Sequence, residues 1–260
     1  MRIVDADAHP PLEAIELEYL GVVSAEIFLG RLARTGVDIA CGTVTLAEGV
    51  PGGDHVRLRE INERALELSR ASNGCYRMAV WVHPACATSC AEMIAHFTGE
   101  GAVMAGDIQP EWIEEDSPGL RTIMNAARNC GLPVNALPRG AEQAEKLARR
   151  YPDVRLLIGG GSAGIAPLAA VDLLEKYPNL YLHLSSPGMT VNYVLHSMLQ
   201  RLPEKRLLFG TNYPYCNPAA KRAATEWELR DASPLSRAAI LGGNAVEMAP
   251  ATAWRGGGET

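Results

Sequence analysis

The stretch RIVDADAHP, residues 2–10, sets Asp5, Asp7 and His9 two residues apart within an aliphatic run. Alternate side chains of an extended strand share a face, so carboxylate and imidazole would meet at its end. Such a pair can hold a divalent cation or move a proton. The plainer alternative is that Asp7 and His9 hydrogen-bond each other and the backbone, as buried polar groups must. Other polar residues close later aliphatic runs: His83, Asp107, Gln109, Asn135, His183, Ser185, Asn212 and Tyr213.

Eight runs rich in β-branched and aliphatic residues must position these groups: 3–8, 38–46, 76–84, 102–110, 132–138, 154–160, 180–186 and 206–214. Helical spacing fills the intervals, over 24–35, 54–72, 88–98, 117–129, 141–150, 164–176, 188–201, and 218–229 with 234–248. In the second of these, Val56, Ile61, Ala65 and Leu68 approximate the 3.6-residue period of a helix packed on a sheet. Eight strand–helix alternations predict one domain over residues 1–249, a (β/α)8 TIM barrel. Periodicity does not separate a closed sheet from an open, doubly wound one, which stays as the alternative. Residues 250–260 have little apolar content and are expected to form a loose tail. In a barrel the C-terminal strand ends border the site, which would collect the polar residues named above.

Composition narrows the possible partners. A formal charge of −6 without a basic cluster argues against nucleic acid and anionic membranes. No apolar run approaches the roughly 20 residues that span a bilayer. The early Asp5, Asp7 and His9 argue against a secretory signal, and six cysteines without a CxxC pair suit reduced thiols in the cytoplasm.

Several stretches taken in order resemble the amidohydrolase-related (amidohydrolase 2) family, whose members include aminocarboxymuconate-semialdehyde decarboxylase. They are IVDADAH, NERALELSRASNGCYRMAVWVHP, GLPVNALP, YPDVRLLIGGGSAG, KRLLFGTNYP and ILGGNAVEMA. The resemblance covers nearly the whole chain and implies a barrel hydrolase or decarboxylase acting on a small carboxylated molecule. It also implies zinc or another divalent metal, held by His-x-His on the first strand, histidines ending the fifth and sixth, and an aspartate ending the eighth. Those positions fall on Asp7, His9, Leu137, Gly160 and Asn212. Only His9 keeps the family residue. Leu137 and Gly160 offer no side-chain donor, so the expectation is no tightly held metal, with Asp7 and His9 as its ligands if one binds.

The candidate catalytic residues are therefore Asp7, His9, Asp107 and Asn212, with Asp7 or Asp107 as base, His9 as acid or electrostatic partner, and Asn212 orienting a carbonyl. His83, His183, Ser185, Gly160 and Tyr213 are the candidate substrate contacts. Gly159–Gly164 matches GxGxxG formally, but it follows the sixth strand and no acid follows to bind a ribose. A tight turn, or a helix N-terminus taking a substrate anion, explains it better. The competing functional reading is a barrel that binds a small molecule without turning it over. Relatives imply a homodimer.

Overall fold

Parallel pairing of aliphatic runs, each with the next, builds this fold. The structure is a computed structural model and describes residues 2–254 apart from 19, 115–116, 160–164 and 192. The strands are β1 (Val4–Asp5), β2 (Ile15–Leu17), β3 (Gly21–Val23), β4 (Ile39–Gly42), β5 (Tyr76–Trp81), β6 (Met104–Ile108), β7 (Val134–Ala136), β8 (Leu156–Gly159), β9 (Leu180–His183) and β10 (Leu207–Leu208). The main sheet runs β1-β4-β5-β6-β7-β8-β9-β10 and all of its pairs are parallel. Closure comes from the segments following β1 and β10. Ala6 N–H donates to Phe209 O (2.9 Å), Asn212 N–H to Asp7 O (2.7 Å) and His9 N–H to Tyr213 O (2.8 Å). The (β/α)8 barrel is thus the architecture, and the open-sheet alternative falls.

The helices are α1 (Ala25–Arg34), α2 (His55–Ala71), α3 (Ala87–Gly99), α4 (Pro118–Cys130), α5 (Ala141–Arg150), α6 (Pro167–Lys176), α7 (Val194–Leu199), α8 (Pro218–Glu228), α9 (Pro234–Ala238) and α10 (Asn244–Met248). Their ends carry the expected signals. Asp54 caps α2 by accepting from Val56 N and Arg57 N, and Gly131 ends α4 in the left-handed conformation. The buried stripe of α2 is Leu58, Ile61, Asn62, Ala65, Leu66 and Ser69. Val56 is 65% exposed, contrary to expectation, because the Asp54 cap leaves it in the first turn beside the packed stripe.

Three further departures concern elements that short-range patterns hide. The antiparallel pair β2–β3 stands between β1 and α1, where no strand is expected. The run 234–248 divides into α9, a π-helical turn at Ala239–Gly243, and α10. Residues Ala251–Trp254 are not a loose tail but a short 3-10 helix with Ala253 fully buried, and Thr252 Oγ1 donates to Thr98 O (3.3 Å).

One apolar cluster joins Val4, Ile39, Ala79, Met104, Leu157 and Leu208 from β1, β4, β5, β6, β8 and β10, filling the barrel from strands around its whole circumference. Ala245 and Met248 of α10 extend it below the strand starts. The larger cluster lies between sheet and helices, with Phe28, Ile61, Phe97, Ile123 and Leu174 among its fully or nearly fully buried members. Burying one such side chain stabilises by about 1.5–3 kcal/mol, so the scaffold does not depend on the polar residues at the mouth. No helix among the described residues is long and apolar enough to cross a membrane.

Candidate active site

Asp7 follows β1 and His9 lies two residues on, and the strand period brings their side chains together. His9 Nε2–H donates to Asp7 Oδ1 (3.1 Å). The other ring nitrogen, Nδ1–H, donates to Thr43 O (3.1 Å) and lies 3.3 Å from Thr43 Oγ1, just beyond the end of β4. Burial opposes a charge on this imidazole, but the hydrogen bond and charge of Asp7, the charge of Asp107 and the Thr43 carbonyl raise its pKa to about 9. His9 is therefore a cation at neutral pH and donates through both nitrogens.

Asp7 is buried, and burial alone would raise its pKa. The imidazole of His183, the hydrogen bond and charge of His9, and a hydrogen bond with Ser185 outweigh that and hold it well below the ordinary carboxylate range. His183 ends β9, with Nδ1 2.6 Å from Ser185 Oγ and 3.3 Å from Asp7 Oδ2. Burial lowers the His183 pKa against the pull of Asp7 and Asp107, which favours the neutral ring. Its Nε2 is buried without a partner. A Cβ on Gly159 would come within 2.8 Å of that nitrogen, so only glycine fits there.

Asp107 sits on β6, with both oxygens engaged. Thr43 Oγ1–H donates to Oδ2 (2.7 Å) and Asn135 Nδ2–H, from β7, donates to Oδ1 (2.5 Å). Asp107 Oδ2 lies 3.9 Å from His9 Nδ1. Beneath this layer Asp5 accepts from Asp7 N (3.1 Å), Thr211 N (2.9 Å) and Thr211 Oγ1. Burial nonetheless pushes the Asp5 carboxyl up to about 7. These bonds tie the β1 end to the β10 end, where Asn212 takes a left-handed conformation (φ 55°) that asparagine tolerates better than most residues.

A cavity of about 210 Å³ opens at this end of the barrel, and His9, Thr43, Trp81, Asp107, Leu137 and Asn212 lie on its wall. Trp81 is fixed from both sides: Asn62 of α2 pairs with its backbone N–H and carbonyl (2.8 and 3.0 Å), and its indole N–H donates to Val44 O (3.0 Å).

The mouth thus brings together His9, Asp107 and Asn212. Asp7, His183 and Ser185 lie behind them, so the expected substrate contacts His183 and Ser185 instead support Asp7. Two further candidates lie away from the mouth. His83 is absent from the cavity wall: its Nδ1 accepts from Ala85 N–H (3.1 Å), and its ring packs on Trp112 at 4.2 Å. Tyr213 stacks on Phe28 (4.4 Å) and borders a different cavity. Gly160, together with the rest of the GxGxxG stretch beyond Gly159, lies outside the described residues. Thr43 was missed, although its place two residues after Cys41 on a strand carried the signal. Asn135 was noted at a strand end, but a role for it as partner of Asp107 was not foreseen.

A zinc or manganese ion needs several lone-pair donors converging on an open position. Leu137 supplies none, and both His9 nitrogens are engaged, Nε2 by Asp7 and Nδ1 by Thr43. Asp7 and Asp107 already accept from His9, Ser185, Thr43 and Asn135. Among the described residues no group of three His, Cys, Asp or Glu side chains is arranged to hold a metal. The residues present do not fit a tightly bound ion.

Solved structures share this architecture. 5-Carboxyvanillate decarboxylase from Sphingomonas paucimobilis superposes with a TM-score of 0.71 at 14% identity, over 95% of this chain and 98% of that one. Dihydroxybenzoic acid decarboxylase from Polaromonas sp. JS666, solved with bound manganese and the inhibitor 2-nitroresorcinol, gives 0.64 at 16%, over 84% and 83%. A Pseudomonas putida protein assigned as a 2-pyrone-4,6-dicarboxylic acid hydrolase gives 0.65 at 15%, over 95% and 97%. Identities this low establish the shared barrel and nothing finer. No curated protein matches the sequence. The amidohydrolase family model matches residues 4–248, from the first strand to the last helix of the barrel, and the chain belongs to that family.

Proposed function

We propose that this chain is a hydrolase or decarboxylase-like enzyme acting on a small carboxylated ring compound without a tightly held metal. The observation that carries the reading is the partly buried His9 at the cavity wall, hydrogen-bonded to Asp7, which raises its pKa, with Asp107 3.9 Å away. Positive charge fixed in a partly dry site stabilises a developing oxyanion or holds a substrate carboxylate, without reorganising during reaction. In this reading Asp107 accepts a proton from an attacking water or a ring hydroxyl, and Asn212 orients a carbonyl. The structural relatives support the substrate class, because the molecules in their names are carboxylated rings. The six unpaired cysteines support a reducing, cytoplasmic setting.

The test is turnover of carboxylated lactones and hydroxybenzoates, assayed with and without a strong chelator. The expected result is an unchanged rate in chelator and a fall of roughly 100-fold in kcat for His9→Gln, the scale for losing one oxyanion-stabilising group. Activity abolished by chelator and restored by manganese would overturn the metal-free reading. A second reading, binding without turnover, draws on the pairing of Asp7, His9 and Asp107 with protein partners. Binding of a ring carboxylate with no turnover at any pH would favour it.

A further inference from the structure

We infer that a second cavity beside the mouth is a binding site for a small carboxylate with an apolar body. This cavity, about 550 Å³, lies among the β2–β3 hairpin, α1 and the segment after β10. Its size falls within the roughly 300–1,000 Å³ of small-molecule sites. Leu17, Leu20, Pro214 and Tyr215 give it an apolar wall.

Two residues of that wall carry a buried polar atom without a partner. Arg31 of α1 has a buried Nη1 with no hydrogen-bond acceptor, and the Tyr213 hydroxyl is likewise buried and unpaired. An unmade bond to a charged donor is among the costlier defects of a folded chain. Tyr213 is 3% exposed and stacked on Phe28, so its ring is held in place. A carboxylate is the chemistry that suits either donor, since its oxygens accept from a planar guanidinium and from a phenol. Glu18 is the acid among the residues bordering the cavity and opposes an anion there. It therefore supplies a control of opposite sign.

The mouth, where His9 pairs with Asp7 and Asp107 borders the cavity, is the competing site for such a ligand, and the variants below tell the two sites apart. Tyr215 borders both cavities, so an occupant of the second would touch a wall of the first. The inference does not depend on the chemistry proposed for the mouth.

Calorimetric titration with benzoate, and with benzamide as its neutral counterpart, tests the site. Benzoate should bind the native protein with a Kd below about 10 mM, and benzamide roughly tenfold more weakly. Arg31→Gln should weaken benzoate by roughly tenfold, Tyr213→Phe by a smaller factor, and Glu18→Gln should strengthen it severalfold. Asp107→Asn, which changes the mouth alone, should leave the affinity within about twofold. No binding at 10 mM, the concentration named above, would overturn the inference, as would equal affinity in Arg31→Gln. Tightening in Asp107→Asn with no effect of Arg31→Gln would place benzoate in the mouth and overturn it too. Arg31 is partly exposed and Glu18 exposed, and thermal melting confirms that each variant is folded before it is titrated.

Discussion

Asp7 contacts two imidazoles at once, and that commitment decides what the mouth can do. In a metal site the same carboxylate would face an ion. Here it faces His9 and His183, and His9 turns its remaining N–H to Thr43. The pairing is readable as a pH dependence. The His9 pKa is raised from 6.5 to about 9 on folding, so its contribution is fully present below pH 6.5 and is lost as pH rises through 9. Asp7 is shifted the opposite way, so its share is present above the ordinary carboxylate range and is lost on acidification. Urea titration of native protein and His9→Gln should show a stability gap that is widest between about pH 5 and 6.5 and shrinks as pH passes 9. A gap that stays constant through pH 10 would show that His9 is not charged in the fold. At this scale the sequence was partly legible. Types and a two-residue spacing announced Asp7 and His9, whereas their partners Thr43 and His183 come from the ends of two other strands, and only the closed barrel brings them near.

The family stretches FGTNYP and ILGGNA hold strands and helices in place. Thr211 bonds Asp5 across the seam between β1 and β10, and Asn212 turns the chain there. Asn244 Nδ2 donates to Glu204 O (2.8 Å) and Leu207 O (2.7 Å), pinning α10 to the start of β10. Gly242 lies so close to the approach to β1 that a Cβ would meet Arg2 O at 2.3 Å and Val4 N at 3.1 Å. Gly242→Ala must push backbone against backbone and should cost about 2–3 kcal/mol of unfolding free energy, the upper part of the range for overpacking. Gly99→Ala is the fitting comparison, since a Cβ there meets nothing within 4 Å and the helix gains propensity. Equal urea midpoints for the two variants would contradict the close approach. All eight barrel strands fall within the runs expected from aliphatic content, since burial on both faces leaves a dense local signal. The β2–β3 hairpin escaped because each strand has three residues and neither an Asn-Gly nor an Asp-Gly turn joins them.

For the whole molecule, the question is whether folding is coupled to an ion. A ligand that binds only the native state stabilises it by RT ln(1 + [L]/Kd), about 4 kcal/mol at a thousandfold excess over Kd. For a chain of this length each kcal/mol moves Tm by about 2–4 °C, so a tight catalytic metal would raise Tm by roughly 8–16 °C. This barrel derives its cohesion from the apolar layers inside and around the sheet. At the mouth, His9 neutralises Asp7, and Thr43 and Asn135 bond Asp107, the jobs an ion would otherwise do. Added manganese or zinc, and separately a chelator, should therefore each move Tm by less than about 1 °C. Asp7→Asn provides the internal contrast, because it strands the His9 cation without its counter-charge and should lower Tm by several degrees whether or not metal is present. A metal-dependent rise near 10 °C in native protein that disappears in Asp7→Asn would mean that the mouth rearranges around an ion, with His9 giving up its proton to become a ligand.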